Sequence, residues 1–83
     1  TSGDDELRLV ARLRLARVQR AAGQTDQALA TLQGAQPGAL APAYAAVRGD
    51  LLLDRGDRAG ALAAYREASA TQEQGLVDHD LLA

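Results

Sequence analysis

Displaced by 33 residues, the chain falls on itself in a single phase: Gly23 on Gly56, Ala28-Leu29-Ala30 on Ala61-Leu62-Ala63, Leu32 on Tyr65 and Ala35 on Ala68. A fixed period between roughly 20 and 50 residues marks a stacked array, in which each unit buries its apolar face only against its neighbours. The matched residues say what the unit is. Ala28, Leu29, Leu32 and Ala35 recur at i, i+1, i+4 and i+7, as do Ala61, Leu62, Tyr65 and Ala68, which is one face of an α-helix. Composition excludes the alternative. Only four Val and four Thr are β-branched, and Ile, Phe and Trp are absent, too little to build a sheet. The fold class is all-α, with a core thinned by its reliance on alanine.

Each unit reads as a helical hairpin. Leu15 and Val18 lie on one first helix, and Val47, Leu51 and Leu52 on the other. Gly23 and Gly56 end those helices, since glycine tolerates the left-handed conformation that a helix C-terminus needs. Thr25 and Asp57 stand as N-caps of the second helices. Gln36-Pro37-Gly38 closes the first unit, and Pro42 suits the first turn of the next helix, where its missing N–H costs nothing. The expectation is five helices, over about 4–22, 25–35, 41–55, 58–71 and 73–83. They group as one repeat over about 9–40, a second over about 42–72, and a partial third repeat or capping helix over 73–83, whose apolar residues are Leu76, Val77, Leu81 and Leu82. The chain stops inside that apolar stripe, which reads as a domain excised from a longer protein.

Leu15-Ala16, Gly23, Ala28, Leu32 and Ala35, followed by Gly49, Leu52, Gly56, Ala61, Tyr65 and Ala68, resemble the signature of tetratricopeptide repeats. The early Trp of that signature is missing from both repeats, Arg48 stands in place of its Leu, and Gln19 in place of its Tyr. The resemblance implies a right-handed superhelix of helix pairs. A closer one covers nearly the whole chain. Arg48-Gly49-Asp50-Leu51-Leu52 and the run from Gly56 to Tyr65, with Arg12 to Leu32 and Asp78 to Leu82, are similar to the periplasmic repeat domain of the YfgM family. That similarity implies a domain anchored to the bacterial inner membrane by a single N-terminal helix, facing the periplasm, associated with the SecYEG translocon and cooperating with periplasmic chaperones. No apolar run here approaches the roughly 18 residues a membrane span needs, so the anchor is not in this chain.

In a stacked array the first helix of each pair lines the concave face, where partners dock. The repeat register puts Val10, Leu13, Arg14, Arg17 and Arg20 on that face from one helix, and Ala43, Ala46, Val47, Asp50, Leu53 and Asp54 from the next. Arg17 and Asp50 are 33 apart, hence equivalent in neighbouring repeats, and the default expectation is an ion pair between them. Some tetratricopeptide domains clamp a C-terminal carboxylate with Lys and Asn. The matching positions here are Leu13, Arg17 and Val47, two of them apolar, so that activity is not expected. The groove suits a helix or an extended segment of mixed or apolar character. The partner is thus a protein or peptide; self-association as a homodimer is the alternative.

Other functions lack their chemistry. Nine Arg against eleven acidic residues leave a net charge of −2, which excludes a strong sequence-independent nucleic-acid binder. No cysteine is present. Asp50 and Asp54 share a helix face, but no His, Tyr or Lys in the groove completes an acid–base mechanism, so neither an enzyme nor a cofactor is expected. Asp78-His79-Asp80 cannot close round a metal ion, because consecutive helical side chains point about 100° apart. Arg48-Gly49-Asp50 matches an adhesion tripeptide, but it falls mid-helix with Gly49 where packing needs a small residue. The Arg8, Arg12 and Arg20 run reads as a solvated face, and Asp4, Asp5 and Glu6 as favourable charges at a helix N-terminus.

Overall fold

The structure, a computed structural model, describes the backbone of residues 2–82 and the side chains of residues 3–70. The chain forms α1 (Ser2–Ala21), α2 (Thr25–Leu32), a short 3₁₀ turn (Gly38–Leu40), α3 (Ala41–Asp54) and α4 (Arg58–Leu82). α1 packs along α2 and α3 along α4, so the two hairpins follow each other in sequence, and α3 joins them by touching α1 and α2 as well.

The hairpin turns are built alike. Gly23 and Gly56 sit at φ 78° and 86°, conformations that side chains with a Cβ rarely adopt. At the first turn, Gly23 N–H donates to the Arg20 carbonyl and Gln24 N–H to the Gln19 carbonyl. At the second, Gly56 N–H donates to Leu53 and Asp57 N–H to Leu52. These paired bonds are the Schellman closure of a helix C-terminus. Asp57 then caps α4, its carboxylate accepting from Gly60 N–H at 2.9 Å. A Cβ on Gly60 would lie 2.5 Å from that carboxylate, so the cap and the glycine go together. Thr25 does not cap its helix. It is the first residue of α2, behind Gln24, and no side chain bonds the helix end.

Two boundaries differ from the sequence expectation. α2 stops at Leu32 rather than near residue 35, because the chain turns at Gly34 with φ 79°. Ala35 still packs against the core from outside the helix. The helices expected over 58–71 and 73–83 are one helix, α4, since no Gly or Pro stands between Ala61 and Gln74 to break it. Among the described residues there are therefore four α-helices where five were expected. The side chains of Leu76, Val77, Leu81 and Leu82, expected to form a capping face, lie outside those described.

The core joins both repeats. Leu13 and Ala16 of α1, Ala28 and Leu32 of α2, and Tyr44, Val47 and Leu51 of α3 form one buried cluster. The Tyr44 hydroxyl donates to the Leu9 carbonyl at 2.5 Å and ties α3 to α1. Ala61, Ala64 and Ala68 seat α4 on α3, whereas Leu62, expected on that face, is 50% exposed. Ala64 takes its place because α4 meets α3 along positions three and four apart.

Candidate functional site

α1 and α3 run side by side, and the cleft between them is lined by Arg17, Arg20, Ala21, Val47, Asp50 and Asp54, enclosing about 400 Å³. Five of these are groove residues expected from the repeat register. The other six fall elsewhere, Ala43 and Ala46 among them as half-buried residues of α3 outside the lining. Leu13 is buried in the core, Val10 is half-buried, and Arg14 and Leu53 are exposed outside the lining. Val47 is also a core residue, so the cleft floor is the top of the hydrophobic core.

Its charges are paired in a pattern that the 33-residue offset does not give. Arg20, not Arg17, bridges the cleft, with Nε 2.7 Å from Asp54 Oδ2 and Nη2 3.3 Å from Oδ1. The fork geometry is bidentate, but both side chains are solvent-accessible, so water and salt screen the pair and its contribution to stability is small. The hydrogen bond from Arg20 holds the Asp54 carboxyl below the usual carboxylate range, and the same bond raises the Arg20 guanidinium. Asp50 faces α4 instead, where its carboxylate accepts from the Tyr65 hydroxyl. That bond to Asp50, and then burial, raises the Tyr65 phenol. The expected Arg17–Asp50 pair is therefore absent, and Arg17 makes no ion pair with any described residue.

Gly49 sets this arrangement. A Cβ there would lie 2.7 Å from Tyr65 Cε1, so the ring lies flush on the α3 backbone and its hydroxyl reaches Asp50. The Arg-Gly-Asp tripeptide is thereby accounted for by packing. Gly49 is buried under the ring, Asp50 is engaged by Tyr65, and Arg48 pairs with Glu67 at 2.6 Å.

A second cleft, of about 650 Å³, opens between α2 and α3. Leu29, Leu32, Tyr44 and Leu52 give it an apolar lining. Arg48 and Arg55 stand at it, the latter 3.6 Å from Asp26. Sequence reasoning missed this cleft. Its signal was present, since Tyr44, Arg48, Leu52 and Arg55 form an i, i+4, i+8, i+11 stripe along α3. α2 ends at Leu32 and the chain turns away at Gly34, which leaves Arg48, Leu52 and Arg55 of that stripe at the cleft while Tyr44 stays buried at its base. Among the described residues no group of three or more His, Cys, Asp or Glu could hold a metal ion, and no helix is long and apolar enough to cross a membrane. Asp78-His79-Asp80 lies beyond the described side chains.

The chain is 42% identical over 64 residues to the ancillary SecYEG translocon subunit of Escherichia coli (strain K12), a match covering 77% of this chain and 31% of that protein. The match thus spans about a third of the length of the relative. No solved structure matches the chain. The tetratricopeptide repeat-like domain family matches it over residues 1–83, and with helical hairpins, Gly-closed turns and a cleft between first helices in place, the chain belongs to that family.

Proposed function

We propose that the chain is a protein-interaction module that docks a segment of a partner protein in the cleft between α1 and α3. The observation that carries this reading is the cleft itself. Two successive repeats supply its walls, its floor is apolar at Val47, and its rim is polar at Arg17, Arg20, Asp50 and Asp54. An apolar floor with a few placed polar groups is the usual make-up of a recognition site. Similarity to an ancillary translocon subunit supports placing the partner among the translocon and its chaperones, at the periplasmic face of the inner membrane. Val10, Arg14 and Leu53 border this surface in the repeat register and extend it beyond the cleft, while Leu13 supports it from the core beneath.

The test is a photoreactive side chain at Ala21, in the cleft, introduced into the full-length protein in its bacterial host. Translocon subunits or periplasmic chaperones recovered from Ala21, and not from a control at exposed Ala63 on α4, support the reading. Equal recovery from both positions, or from neither, overturns it.

Self-association is the second reading, and one observation favours it. Leu7, Leu15 and Val18 are 68%, 49% and 64% exposed and form a stripe on α1 turned away from the buried Leu13 and Ala16. An open apolar face at the end of a stacked array is where a further helix packs. A mass that rises with concentration in sedimentation equilibrium, and falls to the monomer in Leu15→Glu/Val18→Glu, supports this reading; a monomer at all concentrations removes it.

A further inference from the structure

We propose that Arg17 anchors an acidic side chain carried internally on an extended, otherwise apolar segment of the partner protein. This rests on the groove reading above and names the chemistry of its occupant. Four ionisable groups line the cleft, and three have partners within the chain. Arg20 and Asp54 hold each other through two bonds, at 2.7 and 3.3 Å. Asp50 is taken by the Tyr65 hydroxyl. Arg17 is exposed and has no ion pair with a described residue, so its donors remain available to a ligand. Arg14, one turn earlier on α1, is exposed and likewise without an ion pair among the described residues. Three arginines on α1 thus stand against two aspartates on α3, and Arg14 and Arg17 are the cations that no ion pair with a described residue takes up, while Asp54 is held by Arg20 and Asp50, still charged, by the Tyr65 hydroxyl. The complement is a negative group on the ligand.

The surroundings of Arg17 argue for a side-chain carboxylate within a segment. A chain-terminal carboxylate is held by donors converging from several sides. Beside Arg17, however, the cleft presents Ala21 one turn later and Val47 opposite, both apolar. One guanidinium flanked by aliphatic surface matches one acidic side chain flanked by apolar residues. Because Arg17 is exposed, the gain is that of a solvated pair, a preference of about threefold to fivefold, weakened by salt.

The experiment is fluorescence anisotropy with two labelled nonapeptides of one alanine–valine frame, differing only in Glu or Gln at the centre, titrated with the whole chain. The expected result is tighter binding of the Glu peptide by about threefold to fivefold at low salt. In Arg17→Gln the two peptides should bind alike. In Arg17→Glu a Lys-centred peptide should become the preferred one. A Glu preference that survives Arg17→Gln, or no preference in the parent, overturns the anchor. The groove reading is tested separately by Ala21→Phe, which fills the cleft with an exposed substitution. If Ala21→Phe abolishes binding of both peptides but no Glu preference exists, the groove stands and the anchor falls. If Ala21→Phe changes nothing, or neither peptide binds the parent, both fall.

Discussion

Gly49, Asp50 and Tyr65 act as one unit, and their energetics separate by substitution. Adding a methyl at Gly49 drives it to 2.7 Å from the Tyr65 ring, and overpacking of this kind costs about 1–3 kcal/mol. Gly49→Ala should lower the urea midpoint accordingly, and Gly49→Ala with Tyr65→Leu should recover part of the loss by removing the ring edge. A Gly49→Ala variant as stable as the parent would show that the ring has room to shift. Tyr65→Phe keeps the packing and deletes only the bond to Asp50, so its urea midpoint should fall by less than that of Gly49→Ala. The Arg20–Asp54 pair has a pH signature. The Asp54 carboxyl titrates below its ordinary range when folded, so its contribution is present above the unfolded carboxylate pKa and is lost as pH falls through the lower folded value. The parent should therefore exceed Asp54→Asn in urea midpoint at neutral pH, and the gap should close as pH falls below the ordinary carboxylate range and through the lowered folded value. A gap that persists there would assign the effect to something other than the charge.

Among the elements, α4 depends most on how it begins and what it rests on. Asp57 supplies its side-chain N-cap, and Asp57→Ala should cost about 0.5–2 kcal/mol, with helicity lost first at the N-terminal end of α4 by amide exchange. Its seat on α3 is three alanines, Ala61, Ala64 and Ala68, which let the two helices approach closely. Ala61 is 2% exposed, so Ala61→Leu should overpack the hairpin by about 1–3 kcal/mol, read as a lower thermal midpoint. A neutral result would mean that α4 can slide on α3. The turn that joins them is as demanding. Gly56 sits at φ 86°, and Gly56→Ala strains that turn without touching any neighbour, because no atom lies within 4 Å of the added Cβ.

At the scale of the molecule the limiting quantity is core volume. Six of the eleven buried apolar residues described are alanine, and only Leu51 among the larger side chains is wholly enclosed. Domains have about 0.05–0.15 kcal/mol of stability per residue, so 83 residues imply roughly 4–12 kcal/mol. Leu51→Ala removes about 2–5 kcal/mol, a large share of that total. It should leave the chain partly unfolded at 37 °C by circular dichroism. A thin core also explains why the binding surface and the core share residues. Val47 belongs to both, so a ligand in the cleft should stabilise the fold as well as occupy it.

The sequence alone determined the helical class, the hairpin unit and the turns, because these are local. A 3.6-residue period, a glycine after the last helical turn and an aspartate before the next helix act within a few residues of themselves. It also put Arg17, Arg20, Val47, Asp50 and Asp54 on one face, and the structure brings these five together along the cleft between α1 and α3. The tertiary structure alone decided which charges meet. Arg17 and Arg20 lie one turn apart, and a rotation of α1 of well under a turn chooses between them. Asp50 was diverted from Arg17 by Tyr65, a residue of another element that reaches it only because Gly49 lets the ring lie on the backbone. The cleft between α2 and α3 exists because a left-handed glycine cut α2 short beside a stripe on α3. Such pairings depend on helix rotation and helix length, and those are set by packing between elements that no local pattern records.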